Sequence, residues 1–222
     1  MPANAVVLNG QIGLLSQESM LAGSGNLYSV NCQTPGTAIA YAALTSFSAT
    51  ANGLFVIANT GVQTIYLKRL TLFQTATVAT GTTWSFEAYN ETGVVAGTTA
   101  VVTRTPVQIG AGNGNSLVAT VQAFNAGAIT IPAAVGARKL QGQWWVPIGV
   151  NVVKDVITVD FGSDAPASSK TGLTAARATD VALLTGQAPA IVVPPGTTSW
   201  INLWGCGSSA PSFEYQLTLI AV

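Results

Sequence analysis

Alternation between apolar and polar residues predicts β-strands along most of the chain. It is clearest in the segment SFEYQLTLIAV, residues 212–222. One face of this predicted strand is apolar and the other polar: the first consists of Phe213, Tyr215, Leu217, Leu219 and Ala221, and the second of Glu214, Gln216 and Thr218. A strand with one apolar face is typical of a sheet that covers a core on one side.

The segment GVQTIYLKRLTLFQT predicts a second long strand with an irregularity in its middle. Ile65 and Leu67 share one face of this strand, but Leu70 has the opposite parity. The apolar phase therefore slips at Lys68-Arg69, which predicts a β-bulge or a change of sheet at that point.

Further strands are predicted between these two. In TTWSFEAYNETG, residues 82–93, Trp84, Phe86 and Ala88 alternate with polar residues, and the sequence Asn-Glu-Thr-Gly predicts a turn. Other segments with strand composition and bounding turn signals are 100–109, 116–124, 143–150 and 154–161.

Two strands carry large apolar side chains on both faces. In IVVPPGTTSWINLWG, Trp200 and Trp204 would point to one side of a strand and Ile201 to the other. In QGQWWVPIG, the adjacent residues Trp144 and Trp145 must also point to opposite sides. A single sandwich core covers only one of these faces, so a second cover is needed.

About eight to ten strands, frequent turn signals and few helical patterns predict an all-β sandwich or barrel. A jelly roll fits this strand count and the long irregular connections best. Residues 1–50 are small and polar with weak periodicity, which predicts an extended N-terminal arm that contains a short helix or strand near 12–21. Residues 51–222 would then form a single jelly-roll β-sandwich.

The predicted sandwich contains an insertion at about 163–189. Within it, the residues at helical spacing are Leu173, Arg177, Val181 and Leu184. This spacing is compatible with a short helix, and an irregular connection is the alternative.

The chain is unusually poor in charge. Charged residues make up 7% of the sequence, with eight basic and eight acidic residues and no histidine, whereas an ordinary soluble domain has about 25%. A free monomer normally keeps a charged surface for solubility. The composition therefore favours a chain that covers much of its surface with copies of itself or with a partner.

Neither nucleic acid nor membrane is predicted as a partner. Nucleic-acid binding calls for a clustered basic face, and the two basic pairs, Lys68-Arg69 and Arg138-Lys139, are better interpreted as strand ends or salt-bridge partners. No run of about 18 apolar residues predicts a transmembrane helix. The segment MPANAVVLNGQIGLL lacks the basic leading region and clear cleavage site of a signal peptide.

The sequence predicts no enzyme activity, cofactor or metal. Without histidine there is no Ser-His-Asp or Cys-His arrangement. Paired carboxylates occur at Asp160 and Asp164 and at Glu87 and Glu91, where each pair would span a strand end and its turn. Capping or solubility is the simpler interpretation of these acids than a glycosidase or calcium site.

The two cysteines, Cys32 and Cys206, fit no metal-ligand spacing. Two free thiols in a reducing compartment and one long-range disulfide are the two interpretations. Cys206 has no candidate base nearby in sequence, so it is interpreted as a structural thiol rather than a nucleophile.

Two explanations remain open for the tryptophans. In one, residues 1–50 fold back over the outer face, or the strands lie where two sheets cross. In the other, which the low charge favours, the tryptophans are desolvated anchors at a subunit interface. The predicted interface residues are Trp144, Trp145, Trp200 and Trp204.

Two parts of the chain resemble jelly-roll head decoration, or cement, proteins of tailed bacteriophages. They are GLFVIANTGVQTIYLKRLTLFQTATVATGTTWSFEAYNETG and VVPPGTTSWINLWGCGSSAPSFEYQLTLIAV, and the similarity covers roughly residues 53–109 and 190–222. The long N-terminal arm and the insertion at 163–189 depart from a minimal decoration domain.

The resemblance implies a non-enzymatic virion structural protein, made in the host cytoplasm and located on the outer capsid surface. Its partners would be itself, as a homotrimer, and the major capsid protein. One alternative is a carbohydrate-binding or receptor-binding jelly-roll module of a virion. A second is a single jelly-roll major capsid protein, which is disfavoured because the predicted arm has no Lys or Arg.

Overall fold

The computed structural model of the protein describes residues 5–8, 11–14, 21–31, 38–40, 53–75, 83–93, 102–110, 116–123, 139–147, 153–162, 183–204 and 211–222. A helical turn covers residues 21–23. The strands are β1 Ala5–Leu8, β2 Gln11–Leu14, β3 Leu27–Asn31, β4 Ile39–Ala40, β5 Gly53–Asn59, β6 Ile65–Gln74, β7 Thr83–Thr92, β8 Val102–Arg104, β9 Val107–Gln108, β10 Ala119–Ala123, β11 Lys139–Pro147, β12 Val156–Phe161, β13 Leu183–Ala188, β14 Val192–Val193, β15 Thr197–Trp204 and β16 Ser212–Ala221.

These strands form two large sheets and one separate hairpin. The first sheet has six strands in the order β11-β7-β15-β5-β10-β8. The second follows the order β13-β12-β6-β16-β3-β9, and β14 and β4 join it by pairing with β6 and β16. Neighbouring strands are antiparallel, apart from the parallel pair β12–β13. The hairpin consists of β1 and β2.

Eight strands form two contiguous blocks of four, one block in each large sheet. In chain order they are β3, β5, β6, β7, β11, β12, β15 and β16. Four of them are adjacent in the order β12-β6-β16-β3, and the other four in the order β11-β7-β15-β5. The remaining strands of both sheets extend or join these two blocks.

The two sheets pack face to face through aromatic side chains. Phe55 of β5 meets Tyr215 of β16 with ring centroids 4.7 Å apart, and Trp84 of β7 meets Phe213 at 5.2 Å. Both are edge-to-face contacts, the arrangement that ring quadrupoles favour. The architecture is therefore an all-β sandwich, as the sequence predicted.

The predicted alternation of the last strand is confirmed. Along β16 every second residue is buried, from Phe213 to Ala221, and the intervening side chains are partly or fully exposed. Burying Phe213, Leu217 and Leu219 contributes about 1.5–3 kcal/mol each relative to leaving them exposed. This strand pairs with β6 along most of its length and anchors the second sheet.

The predicted irregularity at Lys68-Arg69 is also confirmed, as a β-bulge. Thr218 of β16 pairs with Arg69, but the next residue of β16, Leu219, pairs with Leu67, so Lys68 is the extra residue. The bulge lets Leu67 and Leu70 both face the core, although their parities differ.

The prediction of an extended arm over 1–50 is wrong for β3. The five residues of β3 pair with β16, and Tyr28 and Val30 are buried between the sheets. The strand was missed because only Tyr28 and Val30 mark its apolar face and the sequence around it is small and polar. The segment 41–50 lies outside the described residues.

The predicted insertion at 163–189 ends in a strand. Leu183–Ala188 forms β13, which runs parallel to β12 from Val156 to Phe161. The option of a helix is therefore wrong at Leu184, while Leu173, Arg177 and Val181 lie outside the described residues.

Candidate interaction surface

The adjacent tryptophans of β11 point to opposite faces, and only one of them is accessible. Trp144 is 3% exposed and stacks on Phe86 at 5.4 Å, with Phe161 of the other sheet in edge-to-face contact at 5.5 Å. Its assignment to an interface is wrong, because it belongs to the sandwich core. Trp145 is 54% exposed and remains a candidate.

Trp200 is buried within its own chain. It is 1% exposed, and its register places it between Tyr89 of β7 and Val56 of β5, on the face turned away from the core. Since this exposure is that of a single chain, Trp200 is covered without a partner subunit. The prediction that Trp200 lies at a subunit contact is therefore wrong. Trp204 pairs with Ser85 through its backbone, and its side chain lies outside the described part.

A buried polar layer surrounds Trp200 on this second face. It includes Ser85, Glu87, Glu91, Thr198 and Asn202, all at most 6% exposed. Polar side chains at such depth need hydrogen-bond partners. Glu87 accepts hydrogen bonds from the Tyr89 hydroxyl at 3.0 Å and from the Gln143 amide at 3.2 Å.

Of the two carboxylate pairs in the sequence, one lies entirely within the described residues. Glu87 and Glu91 both lie within β7, which continues through the predicted turn to Thr92. Four residues along a strand separate their Cα atoms by about 13 Å. Asp160 forms a salt bridge with Arg69, with Nε and Oδ1 2.7 Å apart, and Asp164 lies outside the described residues.

The salt bridge also accounts for one member of the basic pair Lys68-Arg69, as the sequence suggested. In the second basic pair, Lys139 is exposed at the start of β11, and Arg138 lies outside the described residues. Cys32 and Cys206 are outside them as well. Among the described residues, no cluster of three metal-ligating side chains occurs, and no helix is long and apolar enough to cross a membrane.

A β-bulge in β11 brings two exposed apolar side chains to one face. Leu140 lies opposite Tyr89 and Trp145 opposite Ser85, with a register shift between Leu140 and Gly142. Directly opposed residues of antiparallel strands point to the same side, so Leu140 and Trp145 share the face turned away from the core. In a regular strand, residues five apart would point to opposite sides.

Contacts with the second sheet hold this bulge. The side-chain amide of the extra residue, Gln141, donates to the Val192 carbonyl of β14 at 2.7 Å. A Cβ atom at Gly142 would overlap the ring of Pro189, so only glycine fits there. Leu140 and Trp145 are each 54% exposed, and Gln143 is exposed between them. We call Leu140, Gln143 and Trp145 the β11 edge patch, since β11 forms one edge of its sheet.

Sequence reasoning identified Trp145 in this patch and missed Leu140. The available signal was Gly142 in QGQWW, because glycine within a strand pattern often marks a bulge or a close approach. With that bulge, the parity of Leu140 changes and places it beside Trp145.

Comparisons with protein-family models, with curated proteins and with solved structures found no match for this chain.

Proposed function

We propose that this chain is a non-enzymatic virion structural protein, a capsid decoration or cement protein built on a jelly roll. It is made in the host cytoplasm and self-associates as a homotrimer. It binds the major capsid protein on the outer surface of the head and stabilises the shell.

The observation that carries this proposal is the order of the eight central strands. Counted one to eight along the chain, they have the order 6-3-8-1 in one sheet and 5-4-7-2 in the other. The neighbouring pairs 1–8, 2–7, 3–6 and 4–5 are those of a long hairpin rolled into two Greek keys. This order supports a jelly roll, an architecture common among viral capsid and lectin domains.

The β11 edge patch is the surface that we assign to self-association. Tryptophan is favoured as an interface anchor, and Leu140 adds an apolar neighbour on the same face. The low charge of the whole chain supports an assembled state as well. Trp144 and Trp200 are buried in their own chain. Among the predicted interface tryptophans whose side chains are described, Trp145 is therefore the one that supports self-association.

The mechanism of such a protein is adhesive. A cement protein must bind the assembled lattice in preference to free capsid subunits. Several weak contacts made at once provide this preference without any strong single contact. When several weak contacts form at once, each further contact is intramolecular, and the overall affinity rises by orders of magnitude.

Cosedimentation with assembled heads that lack this protein tests the proposal. We expect the chain to pellet with assembled heads and to leave unassembled capsid subunits of the same virus unbound. Equal binding to both, or binding to neither, would contradict a cement function. Closed shells formed by the chain alone, seen by electron microscopy, would favour the major-capsid alternative instead.

A further inference from the structure

One buried side-chain oxygen of β15, on the face of the six-stranded sheet turned away from the core, has no hydrogen-bond partner. Asn202 is 1% exposed, and its Oδ1 atom accepts no hydrogen bond from the part of the chain that the structure describes. A buried acceptor costs stability unless something satisfies it, and a bound water molecule or ion is a common explanation for such an atom. The groups around Asn202 therefore indicate what this position binds.

On one side, the strand register places Asn202 beside a buried carboxylate. Asn202 lies directly opposite Glu87 of β7, which is 6% exposed. Directly opposed residues share a face, with Cβ atoms about 4.5–5.5 Å apart. Glu87 accepts hydrogen bonds from Tyr89 and Gln143, and a carboxylate has about four acceptor positions, so a further ligand can bind to it. Ser85, two residues before Glu87 on the same face, adds a buried hydroxyl.

On the other side of Asn202, the neighbouring strand is irregular. Asn202 lies opposite Gly53 of β5, but the residue before it, Ile201, lies opposite Phe55, so Leu54 is the extra residue of a β-bulge. A glycine adds no side chain next to Asn202. A bulge also takes main-chain groups out of the hydrogen-bond ladder, and bulges are over-represented beside functional sites. The strand on this side therefore leaves room for a ligand and has backbone carbonyls that the ladder does not use.

We propose that Asn202 and Glu87 bind a calcium ion on this face of the six-stranded sheet. Carboxylate, amide and carbonyl oxygens are the ligands of Ca²⁺, which accepts six to eight of them in a flexible geometry, water included. The negative charge of Glu87 favours a cation over a water molecule at this place. A single carboxylate implies weak binding, with a Kd of about 10⁻⁴–10⁻³ M. This site goes beyond the proposed cement function, because it requires neither self-association nor a capsid.

Terbium luminescence and thermal unfolding of the full chain test the site. Tb³⁺ occupies calcium sites and emits when a nearby tryptophan is excited, and Trp200 lies two residues before Asn202 on the same face, about 7 Å away along the strand. We expect sensitised emission that Ca²⁺ displaces. At a Ca²⁺ concentration ten times its Kd, the unfolding midpoint should rise by about 3–6 °C, and the same concentration of Mg²⁺ should raise it less. Absence of both effects, or an equal shift with Mg²⁺, would overturn the proposal.

Asn202→Leu and Glu87→Gln locate the binding. Each removes one oxygen ligand or its charge at nearly constant volume, and we expect each to weaken Ca²⁺ binding at least tenfold. Glu214→Gln, the loss of a carboxylate on the outward side of the other sheet, is the matched control and should change nothing. A calcium response that persists unchanged in Asn202→Leu, or that is lost in the control, would contradict the assignment. If neither site variant folds, the comparison of Ca²⁺ with Mg²⁺ on the wild-type chain still decides whether calcium binds.

Discussion

The side-chain amide of Asn59 donates a hydrogen bond to the backbone carbonyl of Val193, 134 residues further along the chain, at 2.9 Å. The same amide donates to the Gln63 carbonyl at 2.8 Å, and its oxygen accepts from the Gly61 N–H at 3.1 Å. Asn59 is 1% exposed. One buried side chain therefore links the end of β5 in the first sheet to β14 in the second.

Asn59→Asp should destabilise the fold by about 3 kcal/mol or more. It removes both N–H groups of the side-chain amide and places a carboxylate oxygen against the carbonyl oxygens of Gln63 and Val193. These two carbonyls then lose their hydrogen-bond donor. Because burial disfavours the charged carboxylate, its pKa would be raised in the folded state, and the loss should shrink as the pH falls. Urea unfolding at two pH values measures both effects. Asn31→Asp, the same change at an exposed site, is the control, and an equal loss in both variants would contradict the role of Asn59.

Gly142→Ala should destabilise the protein by about 1–3 kcal/mol, because the new methyl group overlaps Pro189 and strains the β11 bulge. Gly23→Ala is the matched control, since a Cβ atom there meets nothing within 4 Å. Thermal unfolding of both variants gives the comparison. A Gly142→Ala variant as stable as the control would show that the bulge does not depend on that contact.

Trp144→Ala should cost about 3–5 kcal/mol, the usual effect of removing a large aromatic side chain from a core. Its indole contacts Phe86 and Phe161, so the cavity would open between the two sheets. Val62→Ala removes a side chain that is 93% exposed and should stay within about 0.5 kcal/mol of the wild type. Similar losses in these two variants, measured by denaturant unfolding, would argue against the packing of Trp144.

The Arg69–Asp160 salt bridge should contribute less than about 1 kcal/mol, because both side chains are partly exposed, at 39% and 31%. A double-mutant cycle with Arg69→Gln and Asp160→Asn isolates the coupling energy. We expect that energy to fall further at 1 M salt, where the Debye length is about 3 Å. A coupling energy of several kcal/mol that does not respond to salt would contradict this expectation.

The sequence predicted those strands whose apolar period is intact. β16 alternates without interruption, and the slip at Lys68-Arg69 is visible because apolar residues continue on both sides of it. β3 was missed because two side chains, Tyr28 and Val30, are too few to define a period. Its place beside β16 depends on pairing across nearly the whole length of the chain.

The β11 edge patch was predicted only in part, because the exposure of a tryptophan depends on the position of its strand in the sheet. Trp145 and Trp200 have the same appearance in sequence, each with apolar neighbours on a two-faced strand. Their exposures are 54% and 1%, and they differ in position: β11 forms a sheet edge, whereas Trp200 of β15 has a neighbouring strand on each side. Strand order is set by the whole fold, so no local pattern distinguishes these two residues.

Self-association through the β11 edge patch is tested most directly by light scattering of the wild type, Trp145→Glu and Val62→Glu over a range of concentrations. The wild-type mass should be about three times the 22.6 kDa chain and independent of dilution. Trp145→Glu should give single folded chains, because a carboxylate in a desolvated interface is costly, and Val62→Glu should remain a trimer. A wild-type protein that stays monomeric at every concentration, or a Trp145→Glu variant that keeps the wild-type mass, would contradict the account.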